Sequence, residues 1–243
     1  PLATRWISRR AAPNPEALAK ASAQTPAIVI TGGSAGIGLA LACAFAPRAH
    51  ALVLVGRHEE RLGNAARSIA EAHGVRTLPL VLDVGHPDAA EVLSHWLAGE
   101  ELFCDVLVNN AGVGMAGPFE AGAPDGLDTL IATNVAGLTR LNRALLPGML
   151  ARGRGGILSI ASLGGVIPGP WQAAYYASKA FVISLSEAIA AETAGRGVRI
   201  CVVLPGPVDT RFHARMGAEG ARYRQVMLAS TPDRVARSAV RGF

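Results

Sequence analysis

The chain has little that would tie it to disulfide, metal or membrane chemistry. Its three cysteines, Cys43, Cys104 and Cys201, are odd in number and far apart. With no Cys-x-x-Cys pair, they argue against a disulfide-stapled fold and fit small buried hydrophobes in a reducing, cytoplasmic setting. The six histidines, at 50, 58, 73, 86, 95 and 213, have no ligand spacing, so no metal centre is expected. Aromatic residues are 5% of a chain that is 50% hydrophobic, so the expected core is Ala, Val, Leu and Ile. Lysine is almost missing: only Lys20 and Lys179 occur among 23 basic residues. The net charge is +5, but the arginines are scattered and not interleaved with aromatics. That pattern suits a solvated surface and argues against nucleic acid as a partner. Ala27 to Ala46 carries no charge and is about as long as a membrane span. Gly32, Gly33, Ser34, Gly36 and Gly38 interrupt it as strand, turn and helix, which argues against the membrane.

At 243 residues the chain suits one ample α/β domain. Residues 1–25, with Arg5, Arg9, Arg10 and the single acid Glu16, lack an apolar signal core. They are expected to be a loosely ordered extension, with a transit-peptide remnant as the alternative reading. From residue 26 to 243, short apolar runs alternate with helical stretches, the pattern of βαβ units and a parallel sheet. Strands are expected at 27–31, 51–55, 78–82, 106–109, 156–160 and 198–204. Helices are expected from about 37 and at 59–73, 88–97, 127–151 and 175–193. Thr231 and Pro232 start a last helix running to Phe243. Ala51–Val55 and Val198–Leu204 are nearly continuous apolar runs, as in strands buried on both faces. The predicted fold is a Rossmann-type doubly wound sheet with helices on both faces.

Gly32, Gly36 and Gly38 fall between the first strand and the first helix. Glycines let the backbone approach a pyrophosphate closely, while the helix's first amides hold its charge. A tight βα turn could have the same spacing, but a strand before and a helix after favour a cofactor. At the end of the second strand stands Gly56-Arg57, with no carboxylate to receive a ribose 2′-hydroxyl. Arg57 can instead clamp a 2′-phosphate. The alternative is a surface arginine paired with Glu59 or Glu60. The reading is NADP(H) over NAD(H).

Tyr175 and Lys179 are four residues apart on a predicted helix, hence on one face. A free tyrosine with a pKa of about 10 is a poor base near neutrality. A neighbouring ammonium and an oxidised nicotinamide both favour the phenolate. The alternatives are an ordinary half-buried helix pair, or Tyr176 as the partner of Lys179.

Together these motifs resemble the short-chain dehydrogenase/reductase superfamily, over about residues 26–212. The first turn matches T-G-x-x-x-G-x-G, Asn109-Asn110-Ala111-Gly112 matches N-N-A-G, and Tyr175 with Lys179 matches Y-x-x-x-K. The resemblance implies cofactor contacts at Gly32, Ser34, Gly36, Ile37, Gly38, Asp83, Asn110, Tyr175 and Lys179. Pro205, Gly206, Val208 and Thr210, matching P-G-x-V-x-T, are implied to close over the nicotinamide. It selects Tyr175 over Tyr176, makes Ser162 a donor to the substrate oxygen, and gives Asn134 a water linking Lys179 to solvent. Ser159 is left as packing.

The implied activity is reversible hydride transfer between NADP(H) and a small carbonyl or alcohol substrate. Met115, Ile167, Trp171, Phe212, Met216 and Tyr223 make an apolar substrate the better guess. A non-catalytic NADP-binding regulator on the same fold is the alternative, and an epimerase of the superfamily's longer branch is disfavoured by the glycine spacing. A homodimer or homotetramer is expected through the helices at 127–151 and 175–193. The resemblance implies a seventh strand after the last helix, which is not expected within residues 1–243: either the sequence is truncated, or an edge that oligomers often use is left open.

Overall fold

A computed structural model describes residues 13–212, 216–217 and 228–243. Six strands, β1 (Thr25–Thr31), β2 (Ala51–Gly56), β3 (Arg76–Val81), β4 (Leu102–Asn109), β5 (Gly155–Ile160) and β6 (Val198–Val203), form one sheet. All are parallel, in the order β3-β2-β1-β4-β5-β6. The order reverses between β1 and β4, which opens a crevice at the strands' carboxyl ends. Strand side chains alternate between faces, and the apolar runs of β1 and β2 therefore feed two cores. Ile28, Ile30, Leu52 and Leu54 pack on one side with Leu41, Phe45 and Leu62. Val29, Val53 and Val55 pack on the other with Leu93, Leu141 and Met149. Each fully buried Leu or Ile contributes about 1.5–3 kcal/mol.

The first face is covered by α2 (Gly36–Phe45), α3 (Glu59–His73) and the last helix, α8 (Pro232–Gly242). The Thr231 hydroxyl caps α8 by accepting from Arg234 N at 3.3 Å. Its Val235, Ala236, Ala239 and Val240 are buried, and Phe243 meets Phe45 edge-on at 6.1 Å between centroids. The second face is covered by α4 (Ala89–Gly99) and α6 (Leu138–Arg152). Among the described residues no helix is long and apolar enough to cross a membrane.

Three expectations change. Within the stretch 1–25, Pro15–Ser22 forms a helix, α1, and Thr25 already belongs to β1. Asn14 caps α1 through its side chain, accepting from Glu16 N at 2.9 Å, and its own N–H reaches Ala151 O at 2.7 Å. Residues 1–12 lie outside the described residues. The predicted helix 127–151 is two helices, α5 (Pro124–Ile131) and α6, joined by a π-helical turn over Ala132–Gly137. Gly137 lets that turn pack against the backbone of Val84, because a Cβ there would stand 2.2 Å from Val84 O. Strand β4 also begins four residues earlier than the apolar pattern suggests. Asp105 interrupts its hydrophobic run, yet its Oδ2 is paired with Arg154 Nη2 at 2.8 Å.

Candidate active site

A cleft of about 860 Å³ lies along the ends of the strands. Gly32, Gly56, Asp83, Asn110, Ser162 and Pro205, each at or just past the end of a different strand, all line it. The turn after β1 is shaped by Gly32 and Gly36, at φ +66° and +54°, which side chains rarely adopt. Gly38 is buried and does not line the cleft; a Cβ there would lie 2.2 Å from Gly32 O and 2.5 Å from Asn110 Nδ2. Its role is to let α2 begin against the turn. Ala35 gives α2 no side-chain cap, so amides of its first turn are open toward Ser34, Gly36 and Ile37, which do line the cleft.

Thr31 locks this turn to the loop after β4. Its hydroxyl donates to Val108 O at 3.2 Å and accepts from the N–H groups of Asn110 and Ala111, each at 3.0 Å. Asn110 Nδ2 donates to Thr31 O at 2.9 Å and Gly32 O at 3.2 Å. Asn110 thus braces the turn. At one end of the cleft stand Arg57, His58 and Arg61. Arg57 pairs with Asp83 at 3.7 Å, where Glu59 or Glu60 was the alternative partner; both members are half exposed. Asp83 also accepts from Gly85 N at 2.9 Å.

The other end holds Ser162, Tyr175 and Lys179. Tyr175 and Lys179 lie on α7 (Ala173–Glu192). Lys179 is 6% exposed, and its Nζ donates to Ile160 O at 2.8 Å and sits 5.8 Å from the centre of the Tyr175 ring. Burial pulls its pKa down from 10.5 to about 8, because removing water disfavours the ammonium. Ser162 Oγ accepts from Gly164 N at 3.0 Å, which leaves its O–H to donate into the cleft. Ser159 is fully buried and its hydroxyl has no partner among the described residues, as packing would have it. The ring of Tyr176 lies against Gly164 and Gly169, so it packs the wall.

Asn134 sits in the π turn, buried behind the cleft. It accepts from Val113 N at 2.9 Å, and its Nδ2 donates to Val113 O at 2.8 Å and Ser178 Oγ at 3.1 Å. Ser178 in turn donates to Tyr175 O at 2.7 Å. Both amide protons of Asn134 are therefore spent on the protein, and its side chain clamps α7 to the loop after β4. Pro205, Gly206, Val208 and Thr210 line the cleft as expected, with Val208 bridged to Ser230. Of the apolar candidates, Ile167, Phe212 and Met216 line the same cleft. Met115 and Trp171 line a separate chamber of about 150 Å³, and Tyr223 lies outside the described residues. Four residues escaped the sequence reading: Thr31, Ser178, Arg61 and Gln172. Only Thr31 and Ser178 carried a signal, as neighbours of the glycine turn and of Lys179.

A parallel sheet of this order with a glycine turn at its switch point defines a Rossmann-type fold. The chain belongs to the short chain dehydrogenase family, whose model matches residues 26–220. It is similar to a very-long-chain 3-oxoacyl-CoA reductase of Anas platyrhynchos, 37% identical over 189 residues, covering 76% of this chain and 60% of that one. It is also similar to sulfoacetaldehyde reductase 2 of Chromohalobacter salexigens, 35% identical over 209 residues, covering 84% and 82%. Among solved structures, a short-chain dehydrogenase from Sphingobium yanoikuyae in complex with NADPH has a TM-score of 0.82 at 32% identity, covering 90% of this chain and 84% of that one. The chain spans only 60–63% of the length of several of the curated relatives that it matches.

Proposed function

We propose that the protein is an NADP(H)-dependent oxidoreductase acting on a carbonyl or secondary alcohol, with Tyr175 as the proton donor and acceptor. The carrying observation is that one cleft joins a phosphate-ready glycine turn and Arg57 at one end to Ser162, Tyr175 and a buried Lys179 at the other. The open amides of α2 suit a pyrophosphate. Arg57, with Arg61 and His58 beside it, suits a 2′-phosphate. When bound, NADP(H) supplies or takes up the hydride. The Ser162 hydroxyl, oriented by Gly164, donates to the substrate oxygen as charge builds there. Tyr175 gives that oxygen its proton in reduction and takes it back in oxidation, and the Lys179 ammonium favours the phenolate. Asn134 and Ser178 hold the first turn of α7 in register. Ile167, Phe212 and Met216 favour an apolar substrate. The reductase names of two relatives and the NADPH held by a structural neighbour support the same reading.

The test is Tyr175→Phe, assayed by NADPH oxidation with lipophilic carbonyls and by NADPH binding. Binding should stay near wild type while turnover falls by about 10²–10⁴. Near-normal turnover would overturn the proton-transfer role.

A further inference from the structure

The core between β4, β5, α6 and α7 contains a polar layer. Asn109, Asn142, Ser159 and Ser186 are each at most 4% exposed. Asn109 Nδ2 donates to Asn142 Oδ1 at 2.7 Å. Three further oxygens, Asn109 Oδ1, Ser159 Oγ and Ser186 Oγ, are buried and have no hydrogen-bond partner among the described residues. Buried polar atoms are costly to leave unpaired. Ser186 also departs from the chain's own habit. Other hydroxyls on helices and helix ends donate to the carbonyl four residues back, the usual way to satisfy them there. Ser22 does so to Leu18 O, Ser94 to Ala90 O, Thr139 to Val135 O and Thr193 to Ile189 O, at 2.7–2.9 Å. Ser186 makes no such bond.

The fold puts these groups at one depth. Asn109 and Ser159 are register partners on the parallel strands β4 and β5, so their side chains leave the same face of the sheet. Helices that connect parallel strands run back the other way, and a step forward on a helix is a step backward on a strand. Leu138 of α6, Ala161 just past β5 and Val182 of α7 pack together. Four residues along each helix, about 6 Å, lead to Asn142 and Ser186. Two residues back along the strand, about 6.6 Å, lead to Ser159. Beyond this layer Leu107, Ile157 and Leu145 are apolar again.

We propose that Asn109 Oδ1, Ser159 Oγ and Ser186 Oγ form a binding site for one buried water molecule. The water accepts from both serine hydroxyls and donates to the asparagine oxygen, and about three hydrogen bonds are usual for a buried water. Neighbouring strands stand about 4.8 Å apart, a gap that two hydrogen bonds of about 2.8 Å in series bridge and one does not. Asn109 directly precedes Asn110, which braces the glycine turn, and Ser159 directly precedes Ile160, whose carbonyl holds Lys179. The water therefore ties the two strand ends beneath the cleft to α7.

The test is a crystal structure at a resolution that shows ordered water, together with urea unfolding of wild type, Ser159→Ala, Ser186→Ala and the double variant. The density should hold one water peak about 2.6–3.2 Å from all three oxygens. Each single variant should raise the unfolding equilibrium constant about five- to tenfold, because the groups that remain lose their shared partner. The double variant should raise it by no more than about tenfold, short of the product expected of independent groups. Dry hydroxyls give the opposite sign: each alanine then removes a buried unpaired group and makes unfolding less favourable. Unchanged or increased stability in both single variants, losses that multiply in the double variant, or a site without a water peak overturns the proposal. So does a Ser186 hydroxyl bonded to Val182 O. If a variant does not unfold cooperatively, the wild-type density decides.

Discussion

Lys179 is buried, and desolvation holds its pKa at about 8 against an ordinary 10.5. This predicts a specific pH dependence of stability in the cofactor-free protein. Between these two values the unfolded chain binds the proton that the folded chain has released, so stability rises with pH. The penalty is fully in force below about pH 8 and gone above about 10.5. From pH 7.5 to 10 the gain is about 2 kcal/mol. The perturbation is Lys179→Met in a Tyr175→Phe background, which removes the phenol's own titration from the same window. Urea unfolding of Tyr175→Phe and of the double variant, at half-unit steps from pH 7 to 10.5, gives the two stability curves. Burial also pushes the Cys104 thiol up; that gives the opposite slope, but equally in both proteins, and it cancels in the difference. The stability of Tyr175→Phe relative to the double variant should climb with pH by about 2 kcal/mol. A flat difference would mean that water reaches Nζ in the folded protein, and the argument from burial would fail.

Arg57→Ala should raise KM for NADPH by about ten- to a hundredfold while leaving KM for NADH within about twofold, because a charge-assisted contact to the 2′-phosphate is lost. Parallel changes with both cofactors would return Arg57 to its ion pair with Asp83. Asn134→Ala should cost about 2–4 kcal/mol in denaturant unfolding, since Val113 N–H and C=O lose their partners together. It should also lower kcat more than NADPH affinity; wild-type stability would refute the clamp.

What the sequence revealed and what it hid differ in physical kind. The strands of the sheet, the glycine turn and the Tyr175–Lys179 pair were legible because each rests on a short-range rule: strand alternation, left-handed φ, the helical repeat. The π turn was not, since one widened turn leaves the apolar spacing of 127–151 nearly unchanged. Its consequence is long-range, with Asn134 bonded to Ser178 across 44 positions and Asn110 to Thr31 across 79. The same holds for Arg57, whose local carboxylates Glu59 and Glu60 are passed over for Asp83 on the neighbouring strand's end. Parallel strands bring the residues just past their carboxyl ends into one line whatever their distance in sequence. A site built on that line therefore shows its chemical groups in the sequence and its hydrogen-bond partners only in the fold.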